Sequence, residues 1–207
     1  MISLLVVCIG RENGMIALGE AAMPRLLVAL SIASIVFCGA IFGFFYAWVC
    51  STMWGLDQAD PRVAIAAMKA INASVRNAVF FPAFFLTPVV LVLTAAAMRF
   101  AGQSLAAFWY LAAAAVYMVF GLFLTMAVNV PMNEALAVTP VPADIEAARE
   151  VWESYSGRWQ SWNQVRTIAS GVALIFAAFG LTISRPTAQR QYDSKARSFT
   201  FAQVAEE

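Results

Sequence analysis

LLVALSIASIVFCGAIFGFFYAWVCSTMWGL, residues 26–56, runs for 31 positions without a charge. A hydrocarbon layer about 30 Å thick is crossed by about 20 apolar residues of helix, so 18 or more uncharged ones mark a candidate span. Three further windows of this kind follow, at 77–98, 100–133 and 167–184. Together the four hold 105 of the 207 residues and none of the 25 charged side chains, so every charge is crowded into the other half. The expected fold is an all-α membrane protein. Four transmembrane helices, at about 26–50, 79–97, 105–128 and 167–183, form a bundle. Two amphipathic extramembrane helical segments lie on one side of it.

Composition agrees. The chain is 62% hydrophobic and 12% charged with a mean hydropathy of +0.75, against about 45–50% and roughly 25% for soluble domains. That excludes a soluble enzyme and a secreted disulfide scaffold. A net charge of +1 offers no basic surface, so nucleic acid is no partner. Histidine is absent, which removes imidazole ligation of haem, most zinc chemistry and any His-based triad. Cys8, Cys38 and Cys50 show no CxxC spacing and read as small packing residues. No metal or other cofactor is expected.

Outside the spans, residues 1–25 stand apart, as a disordered lead or as sequence before a true start at Met15 or Met23. Ile2–Ile9 is too short to span and follows no basic residue, which reads against a secretory signal. Residues 184–207 form a polar tail. Seven Lys and Arg lie on the side of both termini and six on the other, so the positive-inside rule puts both termini in the cytoplasm by one residue. Within the first span, Gly39, Gly43 and Ala47 repeat every four residues. Such a stripe lets another helix approach closely, inside the bundle or in a homo-oligomer through Gly39 and Gly43. Pro82 and Pro88 each predict a bend in the second span.

The spans hold no acid or base, which argues against a pump or voltage sensor and sends any chemistry to the membrane surface. There, Asp60-Pro61 reads as an N-cap followed by a first-turn proline. The helix it opens carries Ala64, Met68, Ile71 and Val75 on one face and Lys69, Asn72 and Arg76 on another. Its basic stripe is expected to face lipid headgroups, with lining a pocket as the second reading. Farther on, Thr125, Asn129 and Asn133 lie along one side of the third helix as it leaves the membrane, with Pro131 disturbing the turn between them. Residues 143–166 read as one helix running into the fourth span. On a wheel, Trp152, Tyr155, Trp159, Trp162, Asn163 and Arg166 fall within an arc of about 100°. That stripe is either an interfacial aromatic belt or the wall of a pocket for a planar aromatic.

Three stretches carry a resemblance. The first leads from residues 43–56 to AAMKAIN at 66–72, with Asn77 and Phe80 following. The second is NVPMNEAL at 129–136. The third runs from Trp152, Tyr155 and Trp159 to WNQVRT at 162–167. In this order between hydrophobic spans they resemble the anthrone oxygenase family of small four-helix membrane proteins. Lys69 stands where that family commonly has Gln, Trp54 where it often has Pro, and Gln164 where His is frequent. The resemblance implies oxidation of an anthrone-like aromatic ketone to a quinone by dioxygen, without metal or flavin. Membrane lipid and a hydrophobic aromatic small molecule are then the expected partners. Arg166, Asn163 and Asn133 become candidate donors to a developing oxyanion, with Asn129 beside them and Glu134 or Tyr155 as the base. Trp152 and Trp159 are candidates for stacking, and Trp162, Asn72, Arg76 and Lys69 complete the expected ligand-binding set. A non-catalytic binder of an aromatic ligand and a purely structural membrane protein are the alternatives.

Overall fold

The computed structural model describes residues 2–184, with side chains from Met23 to Ser184; the tail beyond residue 184 lies outside it. Among the described residues the chain is almost entirely helical and contains no strand. Helix α1 (Ile2–Ala47) passes through a π-helical turn, Trp48–Thr52, into α2 (Met53–Gln58). Helix α3 (Pro61–Ser74) is followed by α4 (Phe80–Phe100). Next, α5 (Ser104–Val116) continues through two π-helical stretches, Tyr117–Phe123 and Thr125–Asn129, into α6 (Val130–Val138). Helix α7 (Ile145–Ile183) closes the chain.

Among the described residues, four rods are long and apolar enough to cross a membrane: Met23–Gln58, Phe80–Phe100, Ser104–Val138 and Ile145–Ile183. At 1.5 Å per residue, α7 extends about 58 Å, nearly twice the hydrocarbon thickness. Its N-terminal half therefore stands outside the lipid as part of the same rigid rod. The rods pack cyclically, α1 on α4, α4 on α5, α5 on α7 and α7 on α1. Small residues allow this closeness. Ala106, Ala107, Ala113, Ala114, Ala173 and Ala177 are buried, and the Tyr110 ring fills the notch at Gly180, where an added Cβ would meet it at 2.8 Å. Ser34 and Thr94 hydroxyls join α1 to α4 at 2.9 Å.

Helix α4 ends in a Schellman turn. Gly102 takes φ 70°, which only glycine adopts without strain, and the Gln103 N–H reaches back to the Met98 carbonyl at 2.8 Å. Pro88 lies inside α4 and removes the donor that the Phe84 carbonyl would have used. The Tyr117 hydroxyl donates to that carbonyl at 2.8 Å, so the defect becomes a tie between the second and third rods. Pro82 behaves differently from the sequence expectation. It sits in the first turn of α4, where the missing N–H has no intrahelical acceptor anyway, and it gives no reason for a bend.

A second core lies beyond the membrane-length ring, made by Trp48, Met53, Ala64, Ile65, Met68, Leu136, Ala148, Trp152, Tyr155 and Trp159. Asp60 caps α3 by accepting from Arg62 N at 2.9 Å, with Pro61 in the first turn. Asn77 joins α3 to α4: its Nδ2 donates to Ser74 O at 2.7 Å, and its Oδ1 accepts from Val79 N and Phe80 N at 2.8 and 2.9 Å. The polar stripe of α3 faces α6 and the loop after it, not headgroups alone as the sequence suggests. Lys69 Nζ donates to Thr139 O at 2.8 Å and Arg76 pairs with Glu134. The reason is that α6 ends at Val138 and offers free carbonyls and a carboxylate to nearby cations. Of the two readings of the α1 glycine stripe, close packing inside the bundle is the one not found. A Cβ added to Gly39 or Gly43 would meet nothing within 4 Å, so neither packs closely on another helix of this chain. The buried face of α1 instead carries Ser34, Cys38, Ile41 and Phe45, while Cys50 is exposed.

Candidate functional site

Where the ring of rods meets the second core there is a cavity of about 290 Å³. Aromatic rings form nearly half of its lining: Phe44, Phe45 and Trp48 from the end of α1, Phe80, Phe81, Phe84 and Phe85 from α4, and Trp159 from α7. Asn72, Val75 and Arg76 cover it from α3, and Thr125, Met126, Val130, Asn133 and Glu134 close the side of the third rod. Arg166 lies in its wall at the head of the charge-free window of α7. Two of the three π-helical stretches contribute lining residues, Trp48 and the Thr125–Met126 pair. Such widened turns recur at functional sites because they break the regular i→i−4 ladder and re-aim side chains.

Hydrogen-bond chemistry fixes the amides. An indole N–H can only donate, so the Asn133 atom that meets Trp159 Nε1 at 2.9 Å must be its oxygen. The Tyr155 hydroxyl donates to the same oxygen at 2.8 Å, leaving the Asn133 amide nitrogen free of protein partners. Asn163 is fixed at both ends. Its Nδ2 donates to Phe45 O at 3.1 Å and its Oδ1 accepts from Arg166 Nη2 at 2.9 Å.

Arg166 is 5% exposed, yet only neutral groups receive its hydrogen bonds, the second being Thr125 Oγ1 at 3.3 Å from Nη1. The rings of Phe45 and Trp159 lie 4.7 and 5.2 Å from its guanidinium carbon. Its Nε is buried with no acceptor, and the Asn72 Nδ2, which lies beside the Tyr155 hydroxyl, has none in hydrogen-bonding geometry. Asn129 is fully buried one turn from the lining residues Thr125 and Asn133, and neither end of its amide has a partner. Buried polar groups are ordinarily satisfied, so three incomplete side chains at or beside one cavity point to a ligand or water that completes them.

The expected site residues thus divide. Arg166, Asn133, Trp159, Asn72, Arg76 and Glu134 all line the cavity. Tyr155 and Asn163 stand behind it as supports for Asn133 and Arg166. Glu134 is at the mouth, bonded to Arg76 at 3.2 Å with both side chains more than half exposed. Lys69 is engaged with Thr139, Trp162 is half-buried away from the lining, and Trp152 turns to another cluster. In that cluster Asp57 accepts from Trp152 Nε1 at 2.9 Å, Ser156 Oγ at 2.7 Å and Gln160 Nε2 at 2.8 Å.

Sequence reasoning missed Asp57 and the phenylalanine wall. The wall's signal is the doubled pattern of Phe80, Phe81, Phe84 and Phe85, which puts rings on two adjacent faces of one turn. Phe81, Phe85 and Met126 are also exposed on the outer apolar surface, so the cavity opens sideways between α4 and the third rod. No group of three or more potential metal ligands occurs among the described residues.

The family model for anthrone oxygenase matches residues 72–176. That stretch begins at Asn72 and holds every cavity residue except the three from the end of α1. Neither a curated protein nor a solved structure matches the chain. With half of its length covered, and with the covered half carrying the cavity, the chain belongs to the anthrone oxygenase family.

Proposed function

We propose that this membrane protein is an oxygenase that oxidises a hydrophobic, anthrone-like aromatic ketone with dioxygen, using no cofactor. One observation carries the reading: an aromatic cavity whose wall holds the unused donors of Arg166 and Asn72. An aromatic ketone dissolved in the bilayer reaches the cavity through the opening beside Phe81, Phe85 and Met126. Its rings stack against the wall while its carbonyl oxygen accepts from Arg166 Nε, with the Asn133 amide nearby. Removal of a proton from the ring CH2 places negative charge on that oxygen. A preorganised donor in a dry site is worth about 3–4 kcal/mol to such a developing charge. Glu134 is the carboxylate that lines the cavity and is the base in this scheme. The electron-rich carbanion reduces dioxygen, a C–O bond forms, and the resulting hydroperoxide loses water. The balance is CH2 plus O2 giving C=O plus H2O.

Purified protein given an anthrone in air should produce quinone absorbance faster than autoxidation. Arg166→Ala and Asn133→Ala should remove that excess while the protein stays folded. A second reading, binding without turnover, is favoured by the pairing of Glu134 with Arg76, which holds the base in an ion pair. Bound ligand with no excess oxidation would select it. The same proposal places both termini in the cytoplasm, and protease access to a C-terminal tag from one side of sealed vesicles tests it.

A further inference from the structure

We infer that the cavity takes its aromatic ligand as an oxyanion, a phenolate or enolate whose counter-ion is Arg166. This rests on the aromatic-ligand reading above and adds the charge state in which the ligand is held. Guanidinium is protonated near neutral pH. A buried charge is costly unless it is paired. Yet the ion pairs among the described residues are Arg62–Asp60, Arg76–Glu134 and Arg149–Glu146, and none includes Arg166. The cavity's own carboxylate is occupied by Arg76 at the mouth. The positive charge inside is therefore compensated only by an amide oxygen, a hydroxyl and two ring faces.

Geometry narrows what can complete it. Phe45 and Trp159 flank the guanidinium, each Nη already has one protein acceptor, and Nε is the nitrogen left with none. One oxygen can accept there, with the unpartnered Asn72 Nδ2 in the same wall as a further donor. Eight of the seventeen lining residues are aromatic, so the wall suits a planar ring system carrying few polar atoms better than a compact, strongly hydrated phosphate or sulfate. A single oxygen whose charge spreads into fused rings satisfies both requirements. Binding then releases one proton to water, ArOH giving ArO⁻ and H⁺. An anthrone whose ring proton Glu134 has taken is held in the same way, as the electron-rich enolate that meets dioxygen.

The test uses 2-hydroxyanthraquinone, which changes colour on ionisation and is inert to dioxygen, with the full chain in neutral detergent micelles. Bound to the wild type, the dye should ionise about one pH unit or more below its midpoint in empty micelles, a tenfold or larger preference for the anion. Arg166→Gln should return the midpoint to that of empty micelles, and Arg166→Lys should keep part of the shift. The wild type also carries a test independent of any variant. The methyl ether, 2-methoxyanthraquinone, should bind with no pH dependence, and more weakly than the hydroxy dye once that dye ionises. Failure of the dye to bind, an unshifted midpoint, or equal binding of the ether each overturns the inference. So does displacement of the dye by phosphatidylglycerol, which would assign the cation to a lipid phosphate. Turnover is read separately. Absence of oxidation with a shifted dye sinks the oxygenase reading alone, and oxidation with an unshifted dye sinks this inference alone.

Discussion

Helix α7 carries two polar clusters about three turns apart, and they are built to opposite specifications. Around Asp57, one carboxylate accepts from Trp152, Ser156 and Gln160, so each donor is matched. Around Arg166, one cation has only neutral partners, its Nε has none, and Asn72 and Asn129 are also incomplete. The first cluster joins α2 to α7 with its donors matched. The second has unused hydrogen-bonding capacity beside an aromatic cavity. A saturated polar network fixes shape, whereas an unsaturated one at a cavity is held ready for something that arrives.

The largest expected effect breaks the second cluster. Arg166→Ala should lower the excess rate of anthrone oxidation by about 10²–10³-fold, the usual consequence of losing one oxyanion donor. Folding should survive, because deleting an unpaired buried charge relieves a desolvation cost as it removes two hydrogen bonds. Helical circular dichroism and a melting curve, measured beside the rate, check both halves.

Asp57→Ala is the mirror experiment. Hydrogen bonds to a charged group contribute about 1.5–3 kcal/mol when buried, and Asp57 is largely exposed, so a loss of about 2 kcal/mol is expected for the cluster. Oxidation per folded molecule should stay within about twofold. Asp57→Asn should cost less, since an amide oxygen still accepts. Should Asp57→Ala remove turnover from well-folded protein, the division between a shaping cluster and a reacting one would fail.

These contrasts also explain how much was legible. Charge-free windows locate the spans because hydrocarbon tolerates no charge, and Asp60-Pro61 marks a helix start because both residues suit that end of a helix. The stripe from Tyr155 to Arg166 could be read because α7 is amphipathic outside the lipid, where face contrast has meaning. Inside it, helices are apolar all round, so a wheel cannot distinguish the Phe80 and Phe84 face from any other. Asp57 was invisible for a different reason: its donors lie 95 to 103 residues away. Tyr117 answering the carbonyl freed by Pro88 is long-range too, at 33 residues. The Gly39–Gly43 stripe shows the limit of motif reading, since the same spacing serves contact within a chain and contact between chains.

Glycines sharpen the comparison at the next scale down. Gly180→Ala forces a methyl into the Tyr110 ring, which would stand 2.8 Å away, and overpacking of this kind costs about 1–3 kcal/mol. Gly43→Ala meets nothing within 4 Å and should be neutral or slightly stabilising, since alanine is the better helix former. Thermal unfolding of the two variants in the same detergent should therefore move in different directions. Equal losses at both sites would mean that the α1 stripe is covered by something outside this chain.

The smallest effect comes from a third polar cluster, exposed at the start of α3, which calibrates the other two. Arg62 bonds both oxygens of the Asp60 carboxyl, at 3.0 and 2.6 Å, and its backbone N–H adds a third bond at 2.9 Å. These contacts lower the carboxyl from its ordinary value of 3.8 to about 2, the Arg62 side-chain bonds contributing most. A depressed carboxyl stabilises the fold fully above its unfolded value and loses that contribution as pH falls through its folded value. The stability difference between wild type and Asp60→Asn should thus be constant above about pH 4 and should shrink as the pH approaches 2. Asn keeps the capping oxygen, so what disappears with acid is the charge and not the cap. A difference that ignores pH would show that solvent screens this pair completely, and surface ion pairs in the molecule would then carry no weight beside the buried, unpaired Arg166.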